Sequence, residues 1–453
     1  MSERLLVRGS IVVTMDDERR VFRDGAVAVQ GDEIVAVGKR ADVEKGFKAE
    51  EVIDIPRSIV LPGIICAHTH LYGIALRGAS LGIKPPTDFA QILQRVWWPV
   101  DEKLTNEDAY ATALAASIEF LLNGVTAFAD TYSAPNSIEG SLDEIAKAVN
   151  EVGIRGILSY EATERRSREE GLRGLRENER FLKHGVRGRA AGMISLHASF
   201  TVTDELIAKA LELQRETGAI ITIHVSEGLV DLYHNLERYG KRTVERLRDV
   251  GLLSSKAVLA HCVQLDDKEV NMLADTGTWV AHNAMSNMLN AVGAAPVPEM
   301  LSNGVGVALG NDGYIFDMFE NIRATYLLHR LAKRNPNIIS GRKVLEMATV
   351  DAARAYGLRR LGSLKPGNKA DLIVVRPSLT PTPYTGDIYS WIVNGVRGGD
   401  VKLVMVDGEI VAREGKPTRI ELEKAEEKIL KTHEKLWDRL KTISEAVELL
   451  RFS

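Results

Sequence analysis

LPGIICAHTH, residues 61–70, is the stretch from which the fold is read. It continues an apolar run over 59–65, breaks at Pro62-Gly63 and closes in His68-Thr69-His70. In an extended strand, side chains two apart share a face, so His68 and His70 can grip one metal ion without unusual backbone. A His-x-His pair alone is weak evidence, because the same spacing occurs in ordinary cores and surfaces. What makes this pair informative is the series that follows it. His197, His224, His261, His282 and Asp312 each stand at the end of an apolar run.

Strand-like runs at 59–67, 126–129, 154–158, 192–196, 220–223, 257–260, 278–281 and 305–309 alternate with helical stretches. Thr105, with Asp108 three residues on, predicts a capped helix over 106–122 ending before Gly124. Thr203 and Gly218 bracket another at 204–216. Eight near-continuous apolar strands joined by crossovers predict an α/β fold, a closed parallel (β/α)8 TIM barrel over 59–365. An open doubly wound sheet is the competing arrangement, but no Gly-rich dinucleotide fingerprint follows any of the strands. Barrel active sites sit at the C-terminal ends of the strands, where each of these histidines falls. From His224 the steps to His261, His282 and Asp312 are 37, 21 and 30 residues, each about one βα unit.

The two ends of the chain read differently. Residues 1–58 hold short strands with a turn at Gly31-Asp32, and 366–419 hold others with a turn at Asp407-Gly408. Each set is too small to stand alone, so together they predict one small β-sandwich domain with the barrel inserted into it. Residues 420–453 form a C-terminal helix whose stripe of Leu422, Ile429, Leu436, Leu440, Ile443 and Leu450 is expected to pack on the body. A net charge of −4 over 453 residues offers no basic surface for nucleic acid. No apolar run reaches membrane-spanning length and no signal peptide is evident. Two cysteines, Cys66 and Cys262, do not make a disulfide framework and point to the reducing cytoplasm.

Imidazoles and a carboxylate make a sound donor set for zinc or ferrous iron, with a position left for water. Hydrolysis also needs proton carriers, and Glu227, three residues after His224, is placed to be one. His261 and Asp312 are candidates to hold and deprotonate the water. Arg77, Asp130 and Glu161 fall near strand ends, each as well suited to holding a loop as to touching substrate. The charged stretch 164–180 reads as a solvated helix, with Arg165 or Arg166 available to an anionic substrate. Trp97-Trp98 reads as core packing. His184, His234, His329 and His433 read as structural or surface residues.

At this point the chain resembles the amidohydrolase superfamily in its mononuclear aminohydrolase branch. That branch holds cytosine, guanine, adenosine-type and S-adenosylhomocysteine deaminases, with triazine hydrolases. The likeness rests on Leu61-Pro62-Gly63 with His68-Thr69-His70, Leu76-Arg77-Gly78, His224-Val225-Ser226-Glu227 and His261-Cys262. It continues through His282-Asn283 with Ser286-Asn287, Gly310-Asn311-Asp312-Gly313 and the ending 361–367 with Ala370-Asp371-Leu372. Leu196 to Phe200, Trp97-Trp98 and Asp317 to Glu320 are most similar to the SsnA-type aminohydrolases.

The resemblance implies one divalent metal, zinc ahead of iron, on His68, His70, His224 and Asp312. It makes Glu227 the proton shuttle and His261 the residue that orients water, with His197 and His282 bordering the substrate. Arg77 and Gln91 join the substrate side. The fourth strand offers no lysine for carbamylation, which argues against a bridged two-metal site. Ala284 and Asn311 depart from the usual proline and threonine without touching a ligand. Gln91 stands where nucleoside deaminases carry a glutamate, which argues against an adenosine-like substrate. The expected reaction is hydrolytic deamination of an amino-substituted N-heterocycle by a homodimeric, cytoplasmic enzyme. Ring opening of a cyclic amide and displacement of chloride start from the same attack. A non-catalytic scaffold would ordinarily lack some of these ligands.

Overall fold

Gly63 is where the chain passes from one sheet to another. A Cβ there would lie 2.0 Å from Thr126 Oγ1, so the crossing admits only glycine. Before it, Ile59–Pro62 pairs antiparallel with Leu372–Val375 and parallel with Arg4–Val13. After it, Ile64–Thr69 pairs parallel with Val125–Tyr132. The run expected as one barrel strand is therefore two, and the outer sheet gives way to the barrel at Gly63 rather than between 58 and 59. Both halves are fully buried, so hydrophobicity alone carries no mark of the hand-over.

In this computed structural model residues 3–79, 81–378 and 386–449 are described. Eight parallel strands form the barrel: β1 (Ile64–Thr69), β2 (Val125–Tyr132), β3 (Arg155–Ala162), β4 (Ile194–Ala198), β5 (Ile221–Val225), β6 (Ala257–His261), β7 (Trp279–His282) and β8 (Val307–Leu309). They are hydrogen-bonded in sequence, and a parallel bridge between Thr69 and Asp312 closes the ring. Ile65, Ala67, Ala127, Ala129, Val258, Ala281 and Ala308 cluster in one small-residue core, as a closed barrel requires of inward positions. β2 and β3 run further towards the mouth than the apolar runs foretold. There Asp130, Ser159 and Glu161 interrupt the hydrophobic pattern while the pairing continues.

Two helices keep their sequence-level boundaries. Asn106–Leu122 starts at a Thr105–Asp108 capping box, and Asp204–Thr217 runs from Thr203 to Gly218 in the left-handed region. The stretch 164–180, expected as a solvated helix, gives the helix Arg168–Lys183, which buries Glu170, Glu177 and Asn178. The Asn178 side chain bonds Tyr160 N and O of β3 at 2.8 Å each.

Nine strands from both chain ends join in one outer sheet, and Leu5, Val7, Val29, Leu372, Leu403 and Met405 share one of its cores. Arg155 on β3 ties this sheet to the barrel through Asp371 at 3.2 Å and Asp407 at 2.9 Å. The final helix, Leu422–Leu449, packs Ile429, Leu436, Leu440 and Ile443 into the main core; Leu450 lies outside the described residues. Among the described residues no helix is long and apolar enough to cross a membrane.

Candidate active site

The mouth of the barrel is assembled from residues that end their strands in unusual backbone. Asp312, just past β8, has φ 66°, and His261, closing β6, has φ 72°. Left-handed conformations at non-glycine residues are costly and persist where the surroundings impose them. At Asp312 the constraint comes from β1: the backbone N–H groups of Asn311 and Asp312 both donate to His68 O, at 3.0 and 3.1 Å. His70 N donates in turn to Asp312 O at 2.7 Å. A Cβ at Gly310 would lie 2.6 Å from the same His68 carbonyl, which explains the glycine in that motif.

This lacing brings four side chains together. Asp312 Oδ1 lies 3.0 Å from His70 Nε2 and 3.4 Å from His68 Nε2, and the Nε2 atoms of His70 and His224 are 3.2 Å apart. The tautomers follow from the outer nitrogens. His70 Nδ1 donates to Thr131 O at 2.9 Å and His224 Nδ1 to His197 O at 2.5 Å. Both Nε2 atoms therefore present lone pairs to one point, beside a carboxylate and beside His68 Nε2, which is buried without a hydrogen-bond partner. Lone pairs converging in a buried space suit a cation, and three imidazoles with one carboxylate suit a borderline divalent ion. His68, His224, His261 and Asp312 also offer donor atoms all within 4.8 Å of one another.

The surrounding charges favour a cation at this point. Burial alone would raise the Asp312 carboxyl, but the His68 and His70 imidazoles beside it hold it well below the usual range. Burial pulls His70 down, yet Glu161, Asp312 and Asp130 outweigh it and lift the imidazole to about 10. Burial holds His224 and His197 well below the usual imidazole value. Glu227 is the opposite case: burial and then repulsion from Asp312 push its carboxyl well above the usual range. Its Oε2 lies 3.4 Å from His261 Nε2, and Asn290 Nδ2 donates to its Oε1 at 3.3 Å. Asn287 Oδ1 accepts from His261 Nδ1 at 2.8 Å, leaving His261 Nε2 turned to the site. Ser286 Oγ donates to Asp312 Oδ2 at 2.5 Å.

Above this cluster lies a cavity of about 550 Å³ lined by His197, Glu227 and Asp312 with Phe89, Trp97, Trp98 and Phe200 among its aromatic walls. Thr201 fixes the His197 ring through Nδ1 at 2.7 Å. Trp97 lies in the main core and Trp98 packs against it, as expected, and both also wall this cavity. Trp97 reaches it from the connection after β1, 6.0 Å from His70 between ring centres. Arg165 is not offered to an anion: it is buried, paired with Asp101 at 2.9 Å and seated on Trp98.

Three residues expected at the substrate are placed elsewhere. His282 Nε2 faces His329 Nε2 at 3.0 Å in the barrel wall, so His329 is a buried partner rather than a surface residue. Arg77 forms a two-pronged pair with Glu119, 2.7 Å on each side, over Phe316. Gln91 spends its amide on Asp88 and Thr87, so it gives no reason to set aside an adenosine-like substrate. Asn290 is a cavity residue the sequence did not reveal, because it follows His282 by eight positions in a connection without periodic signal; Glu161, noted near a strand end as suited to a loop or to substrate, lines the cavity.

Comparison with known proteins agrees with this architecture. The model of the Amidohydrolase family matches residues 59–411. The 5'-deoxyadenosine deaminase of Methanosarcina mazei is 36% identical over 442 residues, covering 95% of this chain and 98% of that protein. The 5-methylthioadenosine/S-adenosylhomocysteine deaminase of Pelotomaculum thermopropionicum is 33% identical over 93% of this chain and 96% of its own length. Among solved structures, a zinc-bound adenosine deaminase from Xanthomonas campestris superposes with a TM-score of 0.87 at 24% identity, covering 97% of this chain and 98% of its own. The zinc complex of an atrazine chlorohydrolase from Arthrobacter aurescens gives 0.83 at 25% identity, covering 96% and 100%.

Proposed function

This chain belongs to the amidohydrolase family, and from that premise we propose that it hydrolytically deaminates an amino-substituted N-heterocycle, releasing ammonia. The substrate we favour is an adenosine-type nucleoside with a small or thioether-bearing 5' position, the class named for the relatives above. The aromatic walls of the cavity, Phe89, Trp97, Trp98 and Phe200, suit the flat base of such a nucleoside.

We assign one divalent ion, zinc ahead of iron, to His68, His70, His224 and Asp312. When bound, it would supply a water ionised near neutral pH. The rest belongs to the chain. Glu227 is the observation that carries the reading: a buried carboxyl, pushed well above the usual range by burial, that stands beside His261 and faces the cavity. A neutral carboxyl can protonate a ring nitrogen, and its conjugate base can then take up a proton and pass it to the leaving amine. His261, its tautomer set by Asn287, accepts at Nε2 and so orients the attacking water. His197 offers its Nε2 to the heterocycle, and Trp97 and Trp98 wall the site against solvent. The two free, buried cysteines fit a reducing cytoplasm.

The test is ammonia release from zinc-loaded protein given 5'-deoxyadenosine, 5'-methylthioadenosine, adenosine and aminotriazines, with product masses recorded. Glu227→Gln should keep its metal and lose turnover by about 100-fold or more, the scale of general acid–base catalysis. Near-wild-type ammonia release from that variant rejects the assignment. Loss of chloride, or gain of water without ammonia, rejects deamination.

A further inference from the structure

One buried carboxylate remains outside this account. Glu161, near the end of β3, is 2% exposed, and its Oε1 has no hydrogen-bond partner among the described residues. That atom stands 3.6 Å from His224 Nδ1 and 3.8 Å from His70 Nδ1. These distances are too long for hydrogen bonds, and both N–H groups are already given to the Thr131 and His197 carbonyls. They are short for a charge this deeply buried. Two other acids are buried on this side: Asp101 pairs with Arg165 at 2.9 Å, and Asp130 accepts at Oδ1 from Leu71 N at 2.8 Å, with its Oδ2 unpartnered among the described residues.

We propose that Glu161 is a positioning residue for the metal, a single carboxylate behind two ligand imidazoles that sets the affinity of both at once. The inference rests on His70 and His224 being ligands. A negative charge behind each Nδ1–H makes the opposite Nε2 a stronger donor, as carboxylates behind metal-bound histidines do elsewhere. The charges also balance: a divalent cation meets Asp312 on the inner side and Glu161 on the outer side of the same imidazoles. β1, β3 and β5 thereby share one electrostatic unit, and the ligands from β1 and β5 are held by a residue touching neither backbone. A partner behind a ligand is ordinarily worth 10- to 100-fold in metal affinity.

The experiment measures zinc affinity by chelator competition, without substrate, on stripped and reloaded protein. Glu161→Gln keeps the size and removes the charge; we expect zinc to bind 10- to 100-fold more weakly and the zinc-induced rise in Tm to shrink. Affinity within twofold of wild type overturns the proposal. So does a raised KM with unchanged zinc binding, the pattern of a carboxylate that only meets substrate. Should Glu161→Gln fail to fold, Glu161→Asp, which keeps the charge but withdraws it from both rings, should still bind zinc several-fold more weakly; unchanged affinity there overturns the proposal. Wild type that binds zinc but releases no ammonia rejects deamination and leaves this result standing, whereas wild type that binds no divalent ion overturns both.

Discussion

Two of the three histidines assigned to the metal have their two nitrogens divided between the protein and the site. His70 and His224 give Nδ1 to a carbonyl on a neighbouring strand, which fixes the ring and leaves Nε2 with one possible task. Asp312 is held more tightly still, by a left-handed backbone, by Ser286 and by the carbonyl of His68. Removing it takes away the one carboxylate that touches His68 and His70 together. Asp312→Ala is therefore expected to lower the divalent metal per chain at least tenfold and take ammonia release to background. Elemental analysis of the purified variant decides it: metal retained at wild-type level rejects the ligand role. Cys66, although inside β1, contributes no chemistry, because burial pushes its thiol up to about 12 and it bonds Asn311 Oδ1 and His68 O.

At the scale of elements, local signals fixed helices better than strands. Asn106–Leu122 begins where Thr105 Oγ1 and Asp108 exchange bonds with each other's N–H, including Thr105 N to Asp108 Oδ2 at 2.8 Å. Thr105→Ala should cost about 1 kcal/mol, seen as a Tm lower by roughly 2–4 °C with metal content unchanged. Strands were legible as apolar runs but not in extent. β3 continues through Ser159 and Glu161 because neighbouring backbones pair it there, and no hydrophobic alternation signals that. The same limit hid the hand-over at Gly63, where burial is complete on both sides. It also hid the second role of Trp97-Trp98, which pack on the core as expected and wall the cavity as well.

The whole molecule is held by contacts between its extremes. The C-terminal helix lays its apolar stripe on the barrel's outer helices, and Arg439 bonds Lys103 O at 3.0 Å in the connection after β1 that also carries Trp97. Leu436 is fully buried in that seam. Leu436→Ala should cost roughly 2–5 kcal/mol by the loss of buried methyls and the cavity left behind. The denaturation midpoint would fall by that measure, while zinc bound per folded chain stays at the wild-type value.

The resemblance to the aminohydrolases singled out His68, His70, His224 and Asp312 among the strand-end residues; sequence patterning by itself determined the barrel and the pairing of the chain ends. These depend on periodicity and spacing, which survive without coordinates: a strand of fixed rise ends where its apolar run ends, and a closed parallel barrel gathers those ends at one rim. Tertiary structure alone decided what stands around that centre. Glu161 and Asn290 entered the site, while Arg77, Gln91 and His282 left it, because the direction of each side chain follows from strand extension, loop path and available partners. An arginine beside Glu119 or a histidine beside His329 is claimed by its neighbour across the fold, and no local pattern records who that neighbour is.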